Sequence, residues 1–107
     1  MTKAAHIDLT IRAGRVAQFA WLVDEIDMTG WTGKAQIRKY ANSPLIAEFE
    51  VTIDAENGII EIEMDVETVN TIPVGRYQWE LVVIKSDGSP VTFFEGSIAV
   101  EYSLVQL

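Results

Sequence analysis

Three acidic residues within four positions make one segment look like an ion-binding loop. Asp24, Glu25 and Asp27 lie within VDEIDMTG (23–30), and closely spaced carboxylates are ligands that Ca²⁺ prefers. The segment lacks the regularly spaced acids and the closing glutamate of an EF-hand loop. It is therefore predicted to be an acidic turn, and we expect no metal site in this chain.

Residues suited to acid–base or nucleophilic catalysis are sparse. His6 is the only histidine and the chain has no cysteine. A catalytic base or metal ligand needs partner groups, and the sequence suggests none near His6. The serines do not occur in a nucleophile elbow, and there is no glycine-rich phosphate-binding motif. We expect a protein that is not an enzyme and uses no cofactor, with His6 at a surface or strand edge.

Glutamates alternate with apolar residues in two neighbouring segments, LIAEFEVTI (45–53) and IIEIEM (59–64). These glutamates are Glu48, Glu50, Glu61 and Glu63. Strict alternation is typical of a strand with one buried face. The Asn-Gly of AENG (55–58) between the segments favours a hairpin loop, because this pair tolerates the positive φ that such turns need.

A four-residue loop gives this hairpin a definite predicted register, with Asp54 opposite Ile59. The apolar face then carries the pairs Ile53–Ile60, Val51–Ile62 and Phe49–Met64. The other face carries Thr52–Glu61, Glu50–Glu63 and Glu48–Asp65. Like charges directly opposite each other are destabilising. Three interpretations stay open: a solvated face that opposes aggregation, a docking surface for a basic partner, or a divalent cation site.

Similar alternation extends over most of the chain. Strands are predicted over 6–12, 17–23, 34–40, 45–53, 59–64, 76–85 and 91–102, the last with a kink at Gly96. The segment 65–73 is the one helical candidate, in which Asp65 caps a single turn and Pro73 ends it. About seven short strands at regular spacing predict an all-β fold, an antiparallel β-sandwich forming a single domain over 1–107.

Composition and charge limit the class of partner. The 107 residues carry a formal charge of −8, whereas nucleic-acid binding rests on Lys and Arg that neutralise phosphates, so we expect no nucleic-acid partner. The start MTKAAHIDLT lacks the apolar region of a signal peptide. No apolar run approaches the roughly 20 residues that span a bilayer, so we expect no membrane partner. Basic residues concentrate in 1–42 and acidic residues in 43–107, which indicates either solubility or contacts between oppositely charged surfaces in an assembly.

An apolar tail, 103–107, follows the last predicted strand. Its apolar residues are Leu104, Val105 and Leu107. The tail either completes the core or docks on a neighbouring chain. The candidate interface residues are therefore these three together with Glu48, Glu50, Glu61 and Glu63.

The tryptophans are predicted mainly to pack. Trp21 and Trp79 fall on inward positions of their strands. Trp31 follows a turn glycine, so it either caps the core or stays partly exposed. An exposed aromatic stripe could bind sugar, but no second aromatic residue has a spacing that would complete one.

The order of several motifs resembles a known family. The motifs are LTIRAG (9–14), FAWLVDE (19–25), DMTGWTGKAQIR (27–38), NGIIEIEM (57–64), IPVGRYQWELVV (72–83) and FEGSIAV (94–100). Together they cover nearly the whole chain and resemble small virion proteins of tailed bacteriophages, which occur alone or as the N-terminal domain of baseplate and fibre-adaptor proteins. Met28 stands where the family has Leu, and Trp31 where it has Tyr.

The segment DMTGWT (27–32) is the most characteristic of these motifs, and its predicted role is structural. Asp27 and Thr29 are expected to hydrogen-bond local backbone, and Gly30 to supply the turn conformation. Trp31 is then expected to return onto the core. The motif builds a corner between strands and implies no reacting group.

The resemblance implies an immunoglobulin-like antiparallel β-sandwich without chemistry of its own. It implies a non-enzymatic virion protein of the tail, the baseplate or the fibre attachment, assembled in the host cytoplasm. Its partners would be other virion proteins in a multi-copy assembly. A capsid decoration protein is the alternative, because a stand-alone acidic sandwich suits a shell equally. A carbohydrate- or receptor-binding module is a further alternative.

Overall fold

The computed structural model describes residues 4–105, in which eight strands and one short helix follow one another. The strands are β1 (Ala5–His6), β2 (Leu9–Arg12), β3 (Ala17–Leu22), β4 (Thr32–Arg38), β5 (Leu45–Asp54), β6 (Ile59–Met64), β7 (Gly75–Ile84) and β8 (Pro90–Glu101). The helix is α1 (Val66–Val69). The all-β prediction is therefore confirmed.

The strands form one continuous sheet that curls around its core. Hydrogen bonds connect them in the order β1-β8-β7-β4-β5-β6-β3, and β2 also pairs with β8. The long strand β5 provides the continuity, because its first half pairs with β4 and its second half with β6. The separate layers of the predicted sandwich are not established by this pairing, so the sandwich stays a prediction.

The start of the chain differs from the all-antiparallel prediction. Both β1 and β2 run parallel to β8, with Leu9 opposite Ile98 and Ile11 opposite Val100. Parallel strands need a long connection, and here the connection consists of all the elements from β3 to β7. Local alternation predicts that a segment is extended but carries no information on the direction of a partner so distant in sequence.

Most of the core consists of inward residues of the alternating strands, and Met28, Val69 and Ile72 join it from outside the strands. Fully buried examples are Ile11, Ile37, Ile60, Ile62, Leu81 and Ile98. Each such side chain stabilises the fold by about 1.5–3 kcal/mol relative to exposure. Curling also brings β3 over β7 and β8, since the Trp21 ring stacks on Trp79 at 5.9 Å and lies 5.0 Å from Phe94. The predicted inward orientation of Trp21 and Trp79 is confirmed.

The predicted strand 6–12 is divided at Ile7 and Asp8. The Ile7 carbonyl turns toward the core and accepts a hydrogen bond from Trp79 Nε1 at 2.8 Å. A Cβ on Gly96 would lie 2.0 Å from the Ile7 oxygen, so only glycine permits this approach. The kink predicted at Gly96 is wrong, because β8 runs through Gly96 in register with Trp79 and its irregularity lies near Phe93.

The helical segment forms as predicted. Asp65 is the N-cap of α1, and its Oδ1 accepts a hydrogen bond from the Thr68 backbone N–H at 2.8 Å. The helix ends at Val69, before Pro73. Among residues 4–105, no helix has the length and apolar character needed to cross a membrane.

Candidate functional site

The first candidate surface is the acidic face, which we define as Glu48, Glu50, Glu61 and Glu63 on the outer side of β5 and β6. The predicted hairpin register is confirmed from Asp54–Ile59 through Glu50–Glu63. Glu50 and Glu63 are thus like charges directly opposite each other, at a cost of a few tenths of a kcal/mol. The structure brings three of the four predicted glutamates onto one patch of the hairpin.

Glu48 departs from the predicted arrangement. Before Glu50, β5 pairs with β4 and not with β6, so Glu48 lies opposite Gln36, whose Nε2 donates to Glu48 Oε2 at 2.6 Å. The predicted Glu48–Asp65 pair is wrong, because Asp65 has left the strand to cap α1. The β5–β6 pairing likewise stops before the predicted Phe49–Met64 pair. The single-hairpin prediction could not anticipate that β5 changes neighbour.

The acidic face has little internal compensation for its charge. Between residues 4 and 105, Arg12 forms an ion pair with Glu101 and His6 contacts Asp8, and both contacts lie elsewhere. Gln18 Nε2 donates to Glu61 Oε1 at 3.4 Å. The same part of the chain contains no group of three or more His, Asp or Glu residues placed to hold a metal ion. What the face offers is a row of carboxylates available to a basic partner.

The second candidate surface is the apolar tail. Arg15 Nη2 donates to Ser103 Oγ at 3.2 Å and to the Val105 carbonyl at 2.8 Å. These bonds hold the Ser103 side chain and the Val105 backbone against the domain. Leu104 is fully exposed and Val105 is 60% exposed. The interpretation that the tail completes the core is therefore wrong for these two residues, while Leu107 lies outside the described residues.

A third feature, which sequence analysis missed, is an open groove of about 460 Å³ on the outer side of β4, β7 and β8. Polar and charged residues along it include His6, Arg38, Gln78, Glu80 and Glu95. The parallel pairing of β1 and β2 with β8 brings His6 to this surface. No local sequence pattern predicts that pairing.

Beside this groove, Asp8 joins His6 to Ser97. Asp8 Oδ1 lies 2.9 Å from His6 Nε2 and accepts hydrogen bonds from the Ser97 amide at 3.0 Å and hydroxyl at 2.9 Å. These Ser97 bonds, the amide bond first, lower the pKa of the Asp8 carboxyl. Activation of a serine requires that its hydroxyl donate to the imidazole. Here the Ser97 hydroxyl donates to the Asp8 carboxylate and not to the imidazole. The cluster therefore connects the start of the chain to β8 and is not arranged to activate the serine.

The DMTGWT corner forms where it was predicted, and Asp27 binds local backbone as expected, whereas the Thr29 hydroxyl bonds the Asp27 side chain and not the backbone. Asp27 Oδ1 accepts hydrogen bonds from the Thr29 hydroxyl at 2.6 Å and from its amide at 3.0 Å, and both bonds lower the Asp27 pKa. Gly30 has φ of +79°. Trp31 is partly buried and packs edge-on against Phe93 at 6.0 Å. The corner is thus built by local hydrogen bonds and one aromatic contact.

No protein-family model matches this chain, and no curated protein matches its sequence. The fold and the surfaces define the chain as a small all-β domain with three candidate surface features. These are the acidic face, the apolar tail and the polar groove. The acidic face and the apolar tail consist of groups that can bind another molecule through charge and apolar contact.

Proposed function

We propose that this chain is a non-enzymatic structural protein of a tailed-bacteriophage virion, part of the tail, the baseplate or the fibre attachment. The observation that carries the proposal is the exposed apolar tail, in which Leu104 and Val105 project away from a backbone held by Arg15. Apolar side chains presented in this way are typical of protein–protein contacts. The virion context comes from the motif resemblance.

The tail is suited to docking because its backbone is already partly ordered. The two bonds from Arg15 hold Ser103 and Val105, which lowers the entropy lost when a partner binds. Burial of a leucine side chain in a neighbour's pocket contributes about 1.5–3 kcal/mol. The acidic face would add orientation, because opposite charges steer encounter and register more than they add affinity.

The test replaces the apolar side chains and keeps the backbone contact. The double variant Leu104→Ser with Val105→Ser retains the Val105 carbonyl that Arg15 binds. Because both side chains are exposed, we expect unchanged thermal unfolding. Incorporation into particles, measured by immunoblot of gradient-purified virions, is expected to fall about tenfold or more.

A matched control for this experiment is Leu45→Ser, an exposed leucine at the start of β5. The control is expected to incorporate at the wild-type level. Deletion of 103–107 provides an independent variant of the same surface. If a folded chain lacking 103–107 enters particles as efficiently as wild type, the tail is not the docking surface.

The acidic face favours a second candidate, a capsid decoration protein. Its row of carboxylates includes the directly opposed pair Glu50–Glu63, and like charges at this position are stabilised when a basic surface covers them. A head shell would present such a surface in many copies. Replacement of Glu50 and Glu63 by glutamine would then release the protein from heads at lower salt than wild type, since salt screens exposed charges.

A further inference from the structure

The strand β3 (Ala17–Leu22) lies at one end of the curled sheet, and β6 pairs with one of its edges. The other edge has no strand partner within residues 4–105. The Val23 amide donates to Gly58 O at 2.7 Å, and the direction of N–H groups alternates along a strand. Gln18, Ala20 and Leu22 therefore direct their N–H and C=O groups toward the open edge.

The open edge of β3 lacks the features that usually prevent strand addition. Ala17–Leu22 contains neither a charged residue nor a proline, although charges, prolines and bulges normally protect exposed edges. The outward side chain of Leu22 is 68% exposed, and Val16 and Ile26 beside the strand are 50% and 43% exposed. At the opposite end of the sheet, β1 has only two residues, and β2 has four, one of which is the charged Arg12. The edge of β3 is thus the one suited to accept another strand.

Charge at the two ends of β3 selects the occupant and its direction. Arg15 precedes the strand, and Asp24 and Glu25 follow it. If a second copy aligns antiparallel, the basic end of each strand lies beside the acidic end of the other. A parallel alignment would place like charges together, which is destabilising. The charges at the ends of β3 are therefore complementary when two copies run antiparallel and not when they run parallel.

We propose that two copies of this chain pair through β3, antiparallel and about a two-fold axis at Ala20, so that their sheets become continuous. Ala20 of one copy lies opposite Ala20 of the other, and Gln18 lies opposite Leu22 of the second copy. All three residues direct their backbone groups outward, so each opposed pair exchanges two N–H···O=C hydrogen bonds. The proposal deepens the assembly role proposed above by naming a second copy as one partner.

Cysteine cross-linking tests the pairing directly, because the chain has no cysteine of its own. Hydrogen-bonded antiparallel neighbours have Cα atoms about 5.5 Å apart, within the range that a disulfide spans. Ala20→Cys is expected to form a disulfide-linked dimer under mild oxidation at least tenfold faster than Thr10→Cys. Thr10 is the matched control, since it is an exposed position on β2 at the other end of the sheet.

Sedimentation velocity over a concentration series gives the second readout. Ala20→Pro removes only an N–H that points away from β6, and edge strands tolerate proline in that position. We expect a concentration-dependent wild-type dimer and a folded, monomeric variant, with folding checked by circular dichroism. If Ala20→Pro fails to fold, Ala20→Lys is used, because it opposes two ammonium groups at the axis. Thr10→Lys is its control and is expected to dimerise normally.

A wild-type chain that stays monomeric up to about 1 mM would overturn the pairing. So would a dimer that every folded Ala20 variant leaves intact, since that dimer would use another surface such as the apolar tail. Equal cross-linking rates for Ala20→Cys and Thr10→Cys would also overturn the proposed β3 pairing. Absence of the chain from virions, with dimerisation intact, would instead count against the proposed virion role alone.

Discussion

Gly96→Ala is the substitution for which the structure makes its sharpest stability prediction. The added Cβ would lie 2.0 Å from the Ile7 oxygen and 2.7 Å from the Ile7 carbonyl carbon. These are backbone atoms, so no rotamer change can relieve the overlap. The segment at Ile7 must move away from β8, and the hydrogen bonds that hold it there must break.

The magnitude follows from those hydrogen bonds. Displacement of Ile7 breaks the bond from its amide to Glu95 O at 2.8 Å, which contributes about 0.5–1.5 kcal/mol. It also removes the acceptor of Trp79 Nε1. Trp79 is only 3% exposed, and an unsatisfied buried donor costs about 1–3 kcal/mol. Together these terms predict a loss of about 1.5–4.5 kcal/mol in the free energy of unfolding.

Urea denaturation followed by tryptophan fluorescence measures this loss. The midpoint should fall while the slope stays constant, because the surface exposed on unfolding is unchanged. Gly33→Ala is the control: it is also a strand glycine, but its added Cβ meets the Val51 side chain at 2.9 Å, and we expect a smaller loss of about 1 kcal/mol. If Gly96→Ala unfolds within about 0.5 kcal/mol of wild type, the close approach of Ile7 does not exist.

Three further predictions concern the acidic face, the core and the response to pH. Glu50→Lys should raise the free energy of unfolding by a few tenths of a kcal/mol in urea denaturation, because it relieves Glu63; a loss above about 1 kcal/mol would contradict the register. Trp79→Phe should lower the free energy of unfolding by about 1–2 kcal/mol in addition to any loss from packing, because Ile7 O loses its hydrogen-bond donor. An unchanged free energy of unfolding would show that this bond is absent. Hydrogen bonds lower the pKa values of five carboxyl groups, those of Asp8, Asp27, Asp54, Asp65 and Asp87. Such groups stabilise the fold above the unfolded pKa of about 3.9, and this contribution disappears as pH falls through the lower folded values. The urea midpoint should therefore be steady from about pH 7 to 5 and fall below about pH 4; a midpoint that rises on acidification would contradict the lowered pKa values.

The sequence predicted the elements well where the signal is local. The β5–β6 register follows from alternation and the length of the AENG loop, and the structure confirms it from Asp54–Ile59 to Glu50–Glu63. The Asp65 cap and the Asp27–Thr29 corner also formed as expected. In each case the partner groups are close in sequence, so residue type and spacing determine the geometry.

The errors arise where partners are distant in sequence. The predicted Glu48–Asp65 pair is wrong because the pattern of a single hairpin cannot show that the first part of β5 pairs with β4. The parallel pairing of β1 and β2 with β8 joins the two ends of the chain, and no local pattern encodes it. The same pairing creates the His6–Asp8–Ser97 junction, so this cluster could not be found from the sequence.

The sequence predicted which residues form the candidate surfaces better than it predicted how those residues are arranged. Alternation placed Glu50, Glu61 and Glu63 on one outer face, and the structure keeps them there. For the tail, the sequence left core packing and docking open. Hydropathy cannot distinguish these two possibilities, because both need apolar residues. The structure distinguishes them, since Leu104 lies outside the core and is exposed.

The central claim is that this chain is a component of a virion. Immunogold labelling of intact phage particles, from cells that express the chain with a surface-exposed epitope tag, tests it most directly. We expect gold at the tail or baseplate, whereas gold on the head would favour the decoration role. Particles that carry no gold, in preparations where an antibody to a known virion protein labels normally, would contradict the proposed function.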